Sequence, residues 1–150
     1  MFPVAKKKKN EAGKPRKAIR VTAENRCSLC VGTKCCQYIT QHIDTPRSMA
    51  DFDTLLWQVS HEHIQFYKDC DGWFMLVVDS PCEHLTAAGQ CGIYALRPAV
   101  CRGYSNDECE FDSDAEEGFE LFFPDHESLD AYCRKRFKKW DKRFKKLAKK

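Results

Sequence analysis

Residues 27–39 read CSLCVGTKCCQYI, so Cys27, Cys30, Cys35 and Cys36 fall within ten positions and two of them are adjacent. A C-x-x-C turn directs two sulfurs at one centre while backbone amides of the same turn face the thiolates. The adjacent pair cannot do this from regular backbone, because neighbouring side chains diverge on a strand or a helix. It suits a bend, a polynuclear cluster or two nearby metals; a vicinal disulfide, the other option, is strained. Free cysteines can pack as small hydrophobes, but four so close together are poorly explained that way. The stretch predicts metal coordination and asks for further ligands elsewhere in the chain.

Those follow in residues 80–118, a segment rich in turn formers and poor in periodicity, as Cys82, Cys91, Cys101 and Cys109. Whether ten cysteines in 150 residues are staples or ligands depends on the redox compartment. Met1–Arg20 (MFPVAKKKKNEAGKPRKAIR) carries lysines without the apolar stretch of a secretory signal. The longest strongly apolar run, Trp73–Val78, is far short of the roughly 20 residues a membrane span requires. The expectation is a soluble cytoplasmic protein with no membrane association, in which thiols serve metal or redox chemistry.

The net charge of +3 conceals a segregation. Residues 1–26 carry +7 and residues 126–150 carry +8, so the stretch between them holds −12. Metal-bound thiolates would make that body more acidic, and the basic arms can fold back on it as readily as reach for a partner. Residues 1–20 are too polar to repay their ordering and are expected to be a disordered basic tail.

Outside the cysteines the pattern is that of an ordinary small core. After Pro46, with Ser48 or Thr45 as cap and Asp51 and Asp53 early, apolar residues at Met49, Phe52, Leu55, Leu56 and Val59 recur at helical spacing. Two apolar runs, about 64–68 and 73–79, flank a polar turn at Lys68–Gly72 in which Asp71-Gly72 favours a hairpin. Phe119–Phe123 reads as a short strand ended by Pro124. From Ser128 on, Leu129, Tyr132, Cys133, Phe137, Trp140, Phe144 and Leu147 recur at helical steps among Lys and Arg, which predicts one amphipathic basic helix. Trp57, Trp73 and the phenylalanines are expected in the core. The fold class is therefore α+β: a small, irregular, metal-nucleated domain with one central helix, short antiparallel strands, cysteine-bearing loops and a basic C-terminal helix. The cysteine-cluster domain is placed at residues 21–137 and the basic end of the helix at 138–150.

The C-x-x-C-x4-C-C run, the stretch from Trp73 through Pro81-Cys82 to Leu85, and above all CGIYALRPAVCRGY at 91–104 resemble the YkgJ family of cysteine-cluster proteins. The resemblance covers about residues 26–137. It implies a bacterial, cytoplasmic zinc- or iron-chelating protein whose ligands are Cys27, Cys30, Cys35, Cys36, Cys82, Cys91, Cys101 and Cys109. It implies no secure enzymatic activity. A distant branch resembles cluster-dependent flagellin lysine methylases, but this chain has no glycine-rich turn for a methyl donor.

Thiolate sites suit zinc and iron–sulfur clusters alike. The compact 27–36 run is closer to a cluster loop than to a zinc ribbon, whose second C-x-x-C is missing, so the reading leans to iron–sulfur. Cys70 and Cys133 match no ligand position. His61 and His63 read as cations at a helix end, and His84, although the best non-cysteine candidate, as a solvated loop residue. Arg97 and Pro98 are expected to fix the turn that presents Cys101. Three functions fit: a metal-binding module without independent catalysis that acts with a protein partner, a cluster-dependent redox enzyme or accessory subunit, and nucleic-acid binding through the basic arms. The first is preferred, since the aromatic residues among the C-terminal lysines are better explained by docking on a core.

Overall fold

The computed structural model describes residues 20, 22, 25–30, 33–103 and 115–147. Nearly all of the expected basic tail, and Cys109, lie outside the described residues. A short helix, α1 (Arg26–Leu29), and a 3-10 turn at Lys34–Cys36 lead into strand β1 (Ile39–Ile43). Helix α2 (Met49–Val59), strands β2 (Ile64–Asp69) and β3 (Gly72–Val77), and the short helix α3 (Ala99–Arg102) follow. Strand β4 (Leu121–Phe123), helix α4 (His126–Arg136) and a last short helix α5 (Phe144–Leu147) complete the order.

Helix α2 starts where its chemistry directs. Ser48 Oγ accepts the Asp51 amide at 3.1 Å while Asp51 Oδ2 accepts the Ser48 amide at 2.8 Å, a reciprocal capping box. These bonds hold the Asp51 carboxyl below its ordinary value, the backbone amides of Ser48 and Arg47 being the main cause. Phe52, Leu55, Leu56 and Val59 are buried and Met49 packs beside them. Trp57 points the other way: it is 63% exposed, against expectation, because position 57 falls outside that stripe, and its ring meets His61 edge-on.

The strands form one antiparallel sheet in the order β1-β3-β2-β4. The hairpin register runs from Ile64↔Val77 to Asp69↔Gly72, so Cys70 and Asp71 form the loop and the reading of Asp71-Gly72 as its central pair shifts by one residue. Asp69 Oδ1 closes the turn by accepting the amides of Asp71 at 2.8 Å and Gly72 at 3.1 Å. Gly72 has φ +136°, and a Cβ there would lie 3.0 Å from Nε2 of His42 on β1, so glycine is what lets the edge strand approach. Strand β1 has no counterpart among the sequence expectations: it is an edge strand, exposed along most of its length, and shows no clean alternation.

Helices α2 and α4 cover one face of the sheet. Phe66, Trp73 and Phe123 from the strands meet Phe52, Leu55, Leu56, Val59, Leu129, Cys133 and Trp140 in a single core. The opposite face carries a run of rings, with Tyr67 stacked on Phe74 at 5.0 Å and on Phe119 at 4.2 Å.

The continuous C-terminal helix expected from Ser128 onward is not what forms. Helix α4 begins at Asp125, whose side chain caps the Ser128 amide at 2.8 Å, and ends at Phe137, which is extended at φ −120°, ψ 105°. The chain then makes a 3-10 turn at Trp140–Lys142 before α5. The break brings Trp140 back onto the core, 1% exposed, with its indole Nε1–H donating to Asp130 Oδ1 at 2.7 Å. Arg143 follows and donates to Asp53 Oδ1 on α2 at 2.6 Å. A straight helix would have kept the same period but carried Trp140 beyond the end of the sheet.

Candidate metal centre

Cys35, Cys36, Cys82, Cys91 and Cys101 gather at the end of the sheet where β1 begins and β3 ends. The 3-10 turn Lys34–Cys36 bends the chain, which resolves the divergence that regular backbone would impose on two adjacent cysteines. Across from it, Ser80 donates to the Gln37 carbonyl at 2.8 Å and Cys82 to the Cys36 carbonyl at 2.8 Å. The two cysteine-bearing segments are thus joined by backbone as well as by whatever their sulfurs hold.

Cys36 is the focus of the group. Burial pushes its thiol pKa up, a hydrogen bond with Cys35 opposes the rise, and the sulfurs of Cys82, Cys91 and Cys101 add to it. Five predicted positions therefore share one electrostatic neighbourhood although they span residues 35–101. Cys91 is set by a bridge to Leu85. Cys101 is set by Pro98, which opens α3 and whose carbonyl accepts the Cys101 amide at 3.1 Å, the role expected of the Arg97-Pro98 turn. Arg102 fixes the same loop by donating to the carbonyls of Arg97 at 2.9 Å and of Ala95.

Cys27 lies on α1 and Cys30 caps its end in an extended conformation. The sulfurs do not close on a point. Among the described residues, the one group of three candidate ligand atoms all within 4.8 Å of one another is Asp69, Cys70 and Asp71. That group is the hairpin turn, where the Asp69 carboxylate is already engaged by two amides. His84 pairs with its neighbour Glu83 at 3.4 Å in an exposed loop, in line with a solvated loop histidine. His63 Nδ1 faces Asp79 at 3.6 Å, and Cys133 is buried in the core.

Two residues that sequence reasoning did not single out as unsatisfied bear on what the sulfurs hold. Among the described residues, the buried side-chain polar atoms lacking a hydrogen-bond partner are Thr33 Oγ1 and Arg97 Nε. Both belong to cysteine segments, Thr33 between Cys30 and Cys35 and Arg97 between Cys91 and Cys101. Thr33 is 9% exposed and left-handed at φ 34°, a costly conformation for a β-branched residue, and its hydroxyl does not cap the 3-10 turn it precedes. A buried donor without a partner calls for an ion, water or ligand atom beside it. Two such donors within cysteine-bearing segments fit a thiolate-bound metal, whose sulfurs accept hydrogen bonds. Only their coincidence with the cysteine spacing could have revealed them in the sequence.

The family model of the CxxCxxCC domain, described as "Putative zinc- or iron-chelating domain", matches residues 26–120. No curated protein and no solved structure matches the chain.

Proposed function

This chain belongs to the CxxCxxCC family of zinc- or iron-chelating domains, and from that premise we propose that it is a metal-binding module whose ligands are Cys27, Cys30, Cys35, Cys36, Cys82, Cys91, Cys101 and Cys109. Eight thiolates suffice for an iron–sulfur cluster with a second ion, or for two four-sulfur zinc sites. A cluster would supply electron transfer; zinc would supply folding free energy alone. The module has no catalytic activity of its own, acts with a protein partner, and works in the reducing cytoplasm where thiols persist.

The observation that carries this reading is the grouping of Cys35, Cys82, Cys91 and Cys101 around the Cys36 thiol. Cys27 and Cys30 sit on and at the end of α1, a four-residue helix that contributes nothing to the hydrophobic core among the described residues.

Anaerobic purification followed by absorption spectra and metal analysis tests it. Visible absorption with iron and acid-labile sulfide identifies the cluster, and a colourless zinc-loaded protein identifies the structural site. A chain that retains neither zinc nor iron after anaerobic reconstitution defeats the proposal.

A further inference from the structure

At the hairpin end of the sheet, away from Cys36 and Cys82, a cavity of about 410 Å³ opens between the strands and α4. It is lined by Pro46, Lys68, Trp73, Glu120, Tyr132 and Arg136, with Thr45 and Leu121 at its edges. This volume is in the range of small-molecule sites, roughly 300–1,000 Å³. The floor is apolar and rigid: Trp73 is 4% exposed and stacks on Phe123, and Tyr132 packs on Phe123 and Phe52.

The charges around this floor are unbalanced. Lys68 follows Phe66 by two residues and so stands with it on the helix-covered face of the sheet, opposite to Tyr67, an unusual place for a lysine, and it pairs with Glu120. Arg136 is left over. The other arginines of the C-terminal region that the structure describes have carboxylate partners, Arg134 with Asp130 at 2.8 Å and Asp141 at 3.1 Å, Arg143 with Asp53 at 2.6 Å. Arg136 has no carboxylate partner among the described residues. It donates one hydrogen bond, to Tyr132 Oη at 3.2 Å, and its guanidinium stands 5.3 Å from the centre of the Phe52 ring.

We propose that this cleft binds a small organic carboxylate, held by the Arg136 guanidinium and packed by its apolar body against Trp73, Pro46 and Leu121. A guanidinium fork matches a carboxylate in two parallel hydrogen bonds. The excess positive charge of Lys68 and Arg136 over Glu120 selects an anion, and the aromatic floor rewards an apolar body that inorganic phosphate lacks. Glu120 competes with the ligand for Lys68. The site is independent of the metal centre, because Trp73 lies roughly 13 Å of strand away from Val77, beyond which the cysteine loop departs.

The test is a titration of the ¹⁵N-labelled full-length chain with phenylacetate, read on the indole N–H signal of Trp73. Saturable shifts are expected, with half-saturation in the range of about 1 mM or below. Phenylacetamide, of the same shape without the charge, and inorganic phosphate, with charge and no apolar body, should each bind at least about tenfold more weakly. Arg136→Gln, an exposed position, should weaken phenylacetate by about tenfold or more. Glu120→Gln should strengthen it about threefold, since Lys68 is then released to the ligand. The assignment is overturned by non-saturating shifts, by phenylacetamide or phosphate binding as well as phenylacetate, or by binding that survives Arg136→Gln unchanged. Should Arg136→Gln fail to fold, weaker binding by Glu120→Gln overturns it as well.

Discussion

The backbone amide of Cys82 donates to the carbonyl of Cys36 at 2.8 Å, so two cysteine-bearing segments whose joined residues are 46 positions apart in sequence meet at the end of a sheet. The Cys36 thiol pays no part in that link, yet its pKa is raised by burial first and by the sulfurs of Cys82, Cys91 and Cys101 after it, with the Cys35 hydrogen bond opposing. A thiol with a raised pKa is protonated at neutral pH, and a metal ion must displace that proton to bind the thiolate. Zinc affinity measured by chelator competition should therefore climb as pH increases from about 6.5 to 8, about tenfold per unit for each proton displaced. Cys36→Ser should flatten that dependence. An unchanged slope in the variant would remove Cys36 from the ligand set.

Thr33 and Arg97 should matter to the loaded protein more than to the empty one. Among the described residues the Thr33 hydroxyl and the Arg97 Nε–H have no hydrogen-bond partner, and Thr33 holds a left-handed conformation at φ 34° that costs on the order of 1–3 kcal/mol. Thr33→Gly should leave the thermal midpoint of the apo chain unchanged or raise it, because glycine adopts that conformation without strain. The same variant, and Arg97→Gln, should lose metal to a chelator about tenfold more readily. A Thr33→Gly protein that is destabilised when empty but holds metal normally would show that the hydroxyl serves packing only.

The readable parts of this molecule are those where one local rule decides. The α2 cap, its buried stripe of Phe52, Leu55, Leu56 and Val59, and the β2–β3 hairpin each follow from neighbours in sequence. Strand β1 was illegible because Ile39–Ile43 is an edge, nearly all exposed, whose partner residues lie 30 to 38 positions away. The C-terminal break was illegible for a different reason. Cys133, Phe137, Trp140 and Phe144 keep helical spacing, and only the tertiary partners Asp130 and Asp53 draw Trp140 and Arg143 back over the core. At the candidate centre, spacing singled out the cysteines but could not show that Cys36 meets Cys82 through the backbone, and the two orphaned donors depended on burial that no sequence pattern records.

Cys133 should behave as the inverse of the other thiols. It is fully buried on α4, and desolvation pushes its pKa up to about 12, with Asp130 adding to the rise. The folded state therefore keeps a proton that the unfolded chain loses near pH 9, so this contribution to stability is complete below that pH and is lost as pH rises toward 12. Under native conditions at about pH 8.5, iodoacetamide should label Cys70, on the exposed hairpin loop, within minutes and leave Cys133 unmodified until the protein is unfolded. Urea titrations at about pH 9 and pH 10.5 should show a stability loss that Cys133→Ala reduces. Rapid native labelling of Cys133, read by peptide mass spectrometry, would contradict its placement in the core.

The ion pair of Arg143 with Asp53 ties the end of the chain to α2 across 90 residues. Arg143 is 7% exposed, its guanidinium lies 3.9 Å from the centre of the Trp140 ring, and it also donates to the Trp140 carbonyl at 3.2 Å. Removing Asp53 would leave this buried cation without its carboxylate, the costly way to break a pair, whereas removing the arginine leaves only a carboxylate that is 37% exposed and can be hydrated. Asp53→Asn should accordingly destabilise the fold by about 2–3 kcal/mol in urea unfolding, and Arg143→Met, which keeps apolar packing on Trp140, by about 1 kcal/mol or less. Trp140→Phe should cost more than its lost area suggests, because the Nε1–H donor to Asp130 goes with it. That bond is also the leading cause of the lowered Asp130 pKa, so wild-type stability should fall as pH drops below about 4, where the unfolded chain takes up a proton that folded Asp130 resists, and Trp140→Phe should lessen that fall. Equal losses for Asp53→Asn and Arg143→Met would mean that the pair is solvated rather than buried, and would return the C-terminal segment to a loosely attached helix.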